Sequence, residues 1–393
     1  MSSAAGAAVS ATSAASALTT PGTDSTTVCA PALPLLTRVK CGIIAFTLQN
    51  LVLAPAHHLS ALHCRLTPPT PTHPTLTKSY PSQRSPPIRI FLPPNHPPGT
   101  PLPTLLTTHG GGFLLGRPSD NDAWNRSFST THSHLVIALS YPLAPSAPFP
   151  LPITALETLI TSILADSSLP IDLSRVALLG WSAGANLALA VSQSDTLRPK
   201  LAAVVALYPI VDYVPPPELK LRTRRWKPAL GGFRAKKADF LMSLKDVFNW
   251  AYVPAGTRCD DARLSPIYGK EFPRGVFVVG CELDMLANEA WRFACKVAGR
   301  KVPGVEEAVG CEGVVCGRGE LMPGDDERFA WETRGRDGGW YGWLLVPDVV
   351  HGFDQEGMRA VVRDGECMAD AEEKAERVRA VVARWLGEGP FRG

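Results

Sequence analysis

Seven short apolar runs between residues 88 and 347 constrain this chain more than any other feature. They are IRIFLPP (88–94), LLTTHGG (105–111), LVIALSY (135–141), VALLGWS (176–182), LAAVVALYPI (201–210), GVFVVGCE (275–282) and YGWLLVP (341–347). Each is bounded by turn residues, which is the pattern of strands buried on both faces. Helical patterns separate several of them. ITALETLITSILA (153–165) places Leu156, Leu159, Ile160 and Ile163 on one face. AGANLALAVSQ (183–193) and EAWRFACKVA (289–298) each follow a strand. DAEEKAERVRAVVARWL (370–386) lines up Val378, Val381, Val382 and Trp385. Alternation sustained over about 300 residues predicts an α/β chain whose mostly parallel central sheet is flanked by helices on both faces.

Composition supports a large core and excludes some functions. Hydrophobic residues make up 45% of the 393 and charged residues 19%. A net charge of +3 with no dense Lys/Arg stripe argues against a nucleic-acid partner. The basic run LKLRTRR (219–225) reads as a solvated loop. Nine cysteines, an odd number without framework spacing, point to reduced thiols and an intracellular, cytoplasmic setting. Cys311 and Cys316 have no second Cys/His pair at zinc-like spacing. His57, His58, His63 and Cys64 read as polar positions on a helix rather than as ligands. No metal and no organic cofactor are implied.

Three zones follow along the chain. Residues 1–33 are Ala/Ser/Thr-rich and read as disordered. They lack the basic start and apolar run of a secretory signal. Their Ser/Ala content fits a transit peptide, but the first arginine is Arg38, which weighs against one. Residues 34–80 read as an N-terminal helical cap segment. Within it CGIIAFTLQNLVLA (41–54) is apolar but shorter than the about 20 residues a bilayer span needs. It reads as an amphipathic helix packed on the protein, with peripheral membrane contact as the second option. Residues 81–393 form the main domain, interrupted by a helical, basic cap insertion at 213–258 and a Gly- and charge-rich surface insertion at 303–338.

GWSAGAN (180–186) joins a strand to a helix. Alone, it reads more readily as a small-residue packing turn than as the sharp elbow that exposes a nucleophilic Ser182. A serine needs a base, and the base needs an orienting acid. Downstream, GCELDML places Asp284 just past a strand and VPDVVHGF places His351 just past another. Glu282, Asp348 and Asp354 compete with Asp284 as the acid, and Asp284 has the better position. Upstream, THGGGFLLG (108–116) supplies consecutive glycines whose amides, with that of Ala183, can receive an oxyanion. A phosphate-cradling loop is the weaker reading, because no Gly-Lys-Ser/Thr follows.

HGGGF (109–113), SYPLAPSAPFP (140–150), GWSAGANLAL (180–189), ELDMLANE (282–289) and HGF (351–353) together resemble the hormone-sensitive-lipase-type family of α/β-hydrolases, the group with a His-Gly-Gly-Gly loop. The resemblance spans residues 85–386. It implies an α/β-hydrolase fold with a helical cap, Ser182 as nucleophile, His351 as base and Asp284 as orienting acid. It also implies oxyanion amides from Gly111, Gly112 and Ala183, with His109, Gly110, Gly180 and Gly184 as structural support. The chain departs from the family pattern at Trp181, Ser140 and Ser146, where acidic residues are usual.

The expected activity is carboxylic-ester hydrolysis through an acyl-enzyme, on a small hydrophobic ester with a short to medium or aromatic acyl group. Two alternatives stand beside it. One is a ligand-binding receptor on a hydrolase scaffold, as in plant gibberellin receptors, which resemble the family but lack the catalytic histidine. The other is a hydrolase or acyltransferase for a specific amide, lactone or acetylated metabolite.

Overall fold

The computed structural model describes residues 28–392 except 69, 82–85, 98, 314 and 322–325, and the side chains of 60, 61, 63–65, 359 and 360 also lie outside the description. The strands are β1 Leu76–Lys78, β2 Ile88–Phe91, β3 Leu102–Thr108, β4 Leu135–Leu139, β5 Ile171–Trp181, β6 Ala203–Leu207, β7 Gly275–Cys281, β8 Ala330–Arg334 and β9 Trp340–Val346. They form one sheet in the order β1-β2-β4-β3-β5-β6-β7-β9-β8. The six strands from β4 to β9 in that order run parallel, and β1, β2 and β8 pair antiparallel at the two ends.

The helices are α1 Leu35–Phe46, α2 Ala54–Leu66, α3 Asp122–His132, α4 Leu151–Leu164, α5 Ala183–Ser192, α6 Pro217–Arg222, α7 Leu241–Tyr252, α8 Ala287–Val297, α9 Glu356–Val362 and α10 Gly365–Glu388. Side chains alternate across the sheet, as the pleat requires. Leu135, Ile137 and Leu139 of β4 enter one core with residues of α4, α5 and α8. Val136 and Ala138 enter the other, with Trp124 and Phe128 of α3 and Val378, Val382 and Trp385 of α10. This is the sandwich that the apolar runs predict.

Three differences have physical causes. The 303–338 segment is no mere surface insertion, because its last part is β8, an edge strand that covers β9. Its alternation, Trp331 buried and Glu332 exposed, is too short to stand out in a Gly-rich stretch. The cap segment at 34–80 ends in a strand, β1, whose Thr and Lys carry little apolar signal. The 41–54 helix extends in both directions. A π-helical turn at Thr47–Leu53 joins α1 to α2, so helical backbone runs from Leu35 to Leu66. Pro55 accounts for that turn: it cannot donate to the preceding turn and its ring crowds the carbonyl there, and the Ala54 N–H reaches back five residues to Gln49. The stretch Leu35–Leu59, 25 residues, is long and apolar enough to cross a membrane by length and composition.

The outermost 28–33 residues of the predicted disordered zone include Val28–Ala30, which hydrogen-bond to residues 256–259. Residues 1–27 of that zone lie outside the described residues, as do the side chains of His63 and Cys64.

Trp385 is 1% exposed and its ring lies 5.1 Å from that of Phe277 in β7. Trp385→Ala should lower the unfolding free energy by about 3–5 kcal/mol in a urea titration.

Candidate active site

The carboxyl ends of the parallel strands carry every candidate residue. The glycine loop follows β3, Ser182 follows β5, Asp284 follows β7 and His351 follows β9. In a parallel sheet these ends form one rim, where ligand clefts sit.

Ser182 is the residue between β5 and α5, with φ 52° and ψ −115°. A non-glycine residue there is strained, so the surroundings must hold it. Its N–H donates to the Leu207 carbonyl at 2.9 Å, and its own carbonyl accepts from Asn186 at 3.0 Å. The flanking glycines permit the approach. A Cβ at Gly180 would lie 2.3 Å from the Gly184 carbonyl oxygen, and one at Gly184 would lie 2.2 Å from that of His109. No side chain fits at either point.

Ser182, His351 and Asp284 meet in one chain of hydrogen bonds. The Ser182 hydroxyl donates to His351 Nε2 at 2.8 Å. His351 Nδ1–H donates to Asp284 Oδ2 at 2.6 Å. The other Asp284 oxygen accepts the Leu286 N–H at 3.0 Å. Burial alone would push the imidazole pKa down, but the Asp284 charge and hydrogen bond outweigh it, and Asp239 and Asp354 add to them, so it stands above its ordinary value.

The three competing acids are all engaged elsewhere. Glu282 and Asp348 each accept from Lys227 Nζ at 2.7 Å, in a cluster at most 1% exposed. Asp354 accepts the Trp181 indole N–H at 2.8 Å and the Tyr208 hydroxyl.

The glycine loop is held from behind. His109 stacks on Tyr141 with centroids 4.2 Å apart and donates Nδ1–H to the Gly110 carbonyl, and Tyr141 donates its hydroxyl to the His109 carbonyl at 2.9 Å. Gly111 and Gly112 have φ of 109° and 61°, values that favour glycine. Among the described residues the N–H groups of Gly111, Gly112 and Ala183 meet no acceptor, and all three residues line the same cleft as Ser182. That cleft measures about 1460 Å³. Phe113, Leu115, Ile210, Leu244 and Phe248 supply apolar wall. Phe248 of α7 lies against Gly112, where a Cβ would meet its ring at 2.6 Å.

A family model described as alpha/beta hydrolase fold matches residues 105–312, and the chain belongs to that family. An ethyl acetate hydrolase of Pseudomonas putida is 32% identical over 130 residues, covering 32% of this chain and 41% of that protein. An esterase of Acinetobacter venetianus is 28% identical over 193 residues, covering 48% of this chain and 59% of that protein. The chain therefore spans about half the length of the curated relatives it matches. Among solved structures, an esterase of Pyrobaculum calidifontis superposes with a TM-score of 0.59 at 18% identity, covering 91% of this chain and 99% of that one. An ester-hydrolase from the metagenome of Lake Arreo gives 0.54 at 21% identity, covering 84% and 98%. At these identities the likeness is one of fold.

Two features escape the sequence reading. Trp181 stands where the resembled family carries an acid, yet a carboxylate still reaches the elbow, because Asp354 arrives from the His351 loop to meet the indole. The basic run 219–225 is a correction: it is no solvated loop. Lys220 pairs with buried Glu289, and Arg224 pairs with Asp239 at 3.2 Å and donates to the Leu283 carbonyl at 2.9 Å. Arg225 donates to the carbonyls of Ala308, Val309 and Gly310. Asp239, whose carboxyl is pushed up by burial and by the Asp284 charge, also accepts the Met285 N–H at 3.0 Å. The cap insertion thus grips both sides of Asp284. The acceptors are backbone atoms and acids far away in sequence, so local charge density carries no sign of them.

Two outcomes follow. Asp354→Asn removes one of the charges that raise His351, so the imidazole should titrate at lower pH than in the parent chain, read by NMR. Lys227→Met leaves two buried carboxylates facing each other, and should cost about 3–5 kcal/mol in chemical denaturation.

Proposed function

We propose that the chain is a serine hydrolase that cleaves carboxylic esters through an acyl-enzyme. The observation that carries this reading is the Ser182–His351–Asp284 hydrogen-bond chain beside three amides without acceptors. Relatives named for ester hydrolysis support it.

In this reading Ser182 Oγ attacks the ester carbonyl carbon as its proton passes to His351 Nε2. The carbonyl oxygen gains the negative charge and accepts from Gly111, Gly112 and Ala183. Ala183 opens α5, so the positive end of the helix dipole faces the same point. His351 then gives its proton to the alcohol oxygen as the carbon–oxygen bond breaks. Water adds to the acyl-enzyme by the same route, with His351 taking its proton and returning it to Ser182. Asp284 holds the imidazole in the tautomer that leaves Nε2 free to accept. His109, Gly110, Gly180 and Gly184 bring the amides and the serine together.

The apolar walls of the cleft favour a small hydrophobic or aromatic ester, with an acyl group of short to medium length. An intact histidine in hydrogen-bond contact with the serine weighs against the receptor alternative.

Hydrolysis of p-nitrophenyl esters from acetyl to palmitoyl is the test. Activity should peak at short or medium chains and fall by about 10⁴-fold or more in Ser182→Ala. Because His351 titrates above its ordinary value, kcat/KM should rise with pH along an acid limb above about 6.5. A folded protein inactive on every ester, or an unchanged Ser182→Ala, would overturn the reading.

A further inference from the structure

The long N-terminal helix is only half accounted for by the fold. Cys41 and Ala45 are buried against the body, Gly42 meets the Trp250 ring of α7, and Gln49 donates to the carbonyls of Leu114 and Ala144 at 2.8 and 2.9 Å. That is the inner face. The outer face carries Leu35, Leu36, Val39, Ile43 and Phe46, spaced one, three, four and three residues apart, and each is more than half exposed. Leu51 and Val52 in the π turn and Leu59, Leu62 and Leu66 beyond it continue the exposed series. A soluble surface rarely presents an apolar strip of this length without a partner.

Charge says which partner fits. Residues 25–119 carry seven Lys/Arg and no Asp or Glu, whereas residues 120–393 carry 32 basic and 35 acidic residues. The acid-free stretch contains the whole helix, and Arg38 and Lys40 flank its apolar strip, both exposed. An apolar face bordered by basic residues suits the headgroup boundary of an anionic bilayer. A second copy of this chain would bring like charge against like.

We propose that the Leu35–Leu66 helix lies in the surface of an anionic membrane, outer face in the lipid and inner face still docked on α7. The inner-face contacts distinguish this from a spanning helix, which would strip Gln49 of two acceptors and expose Cys41 and Ala45. Leu53 and His57 of the same helical run line the cleft that holds Ser182. Docking would therefore set the cleft mouth at the lipid surface, where hydrophobic substrates concentrate.

The experiment is co-sedimentation of the full chain with vesicles of phosphatidylcholine alone or with roughly one third phosphatidylserine. The parent chain should bind the mixed vesicles, and more weakly the neutral ones or at raised salt. Ile43→Asp with Phe46→Asp should weaken binding by more than about tenfold, while p-nitrophenyl acetate hydrolysis in solution stays unchanged. Ser182→Ala should bind as the parent does, which separates this proposal from the assignment of the reaction. A parent chain that ignores both vesicle types, or a double variant that binds like the parent, would overturn it. So would a parent dimer that the double variant turns into monomer, because a second copy would then cover the face.

Discussion

The near-contact of α5 with the end of β3 is the constraint on which the site depends. Gly184 lies so close to the carbonyls of Thr108 and His109 that any Cβ would collide with both. That approach puts the first turn of α5, with its free amides, beside the glycine loop. It also holds Ser182 in its left-handed conformation, since the strand behind it and the helix ahead are both fixed in the core. The Thr108 hydroxyl adds to the clasp by donating to the carbonyl of Gly184 at 2.9 Å. Strain at one residue is tolerated because two buried elements over-determine its position.

Around this point the chain solves an electrostatic problem. Five carboxylates (Asp239, Glu282, Asp284, Glu289 and Asp348) are buried, and Asp354 is half-buried, all in segments that follow the carboxyl ends of the parallel strands. Left unpaired, such charges would each be costly. Lys227 takes Glu282 and Asp348, Arg224 takes Asp239, Lys220 takes Glu289, and Trp181 with Tyr208 takes Asp354. Asp284 alone is left to face an imidazole. The division of partners, rather than the position of any one acid, distinguishes Asp284 from its neighbours.

The sheet, the order of the site residues and the glycine loop were legible in the sequence because they depend on local pattern. Apolar runs mark buried strands, and glycines mark close approaches. The acid assignment was legible only as a preference, since ELD and PDVVHGFD place four acids within three residues of one another or of His351. What separates them is a lysine 55 residues before Glu282 and 121 before Asp348. The basic run at 219–225 misled for a related reason: its partners are the distant acids Asp239 and Glu289 and the carbonyls at 283 and 308–310, and carbonyls leave no trace in composition. Helix length misled because the strip continues past Asn50 and Pro55, residues that break the apolar pattern while a π turn preserves the helix.

The two ends of the cap insertion are held by different physics. Lys227 pairs with Glu282 and Asp348, and Arg224 and Asp239, paired with each other, hydrogen-bond to Leu283 and Met285 on either side of Asp284; these ion pairs are no more than 4% exposed, in surroundings where pairing is needed to keep charge buried at all. At the α7 end, Lys245 meets Glu218 and Asp246 through partly exposed pairs, which stabilise little. There the attachment is apolar: Gly42 against Trp250, Phe113 stacked on Tyr252 at 3.6 Å, and Phe248 over Gly112. One end therefore positions the acid, and the other closes the wall of the cleft. The wall rests in turn on α1, so the helix with the bare apolar face reaches the loop with the bare amides both through α7 and directly, by the Gln49 bond to the Leu114 carbonyl.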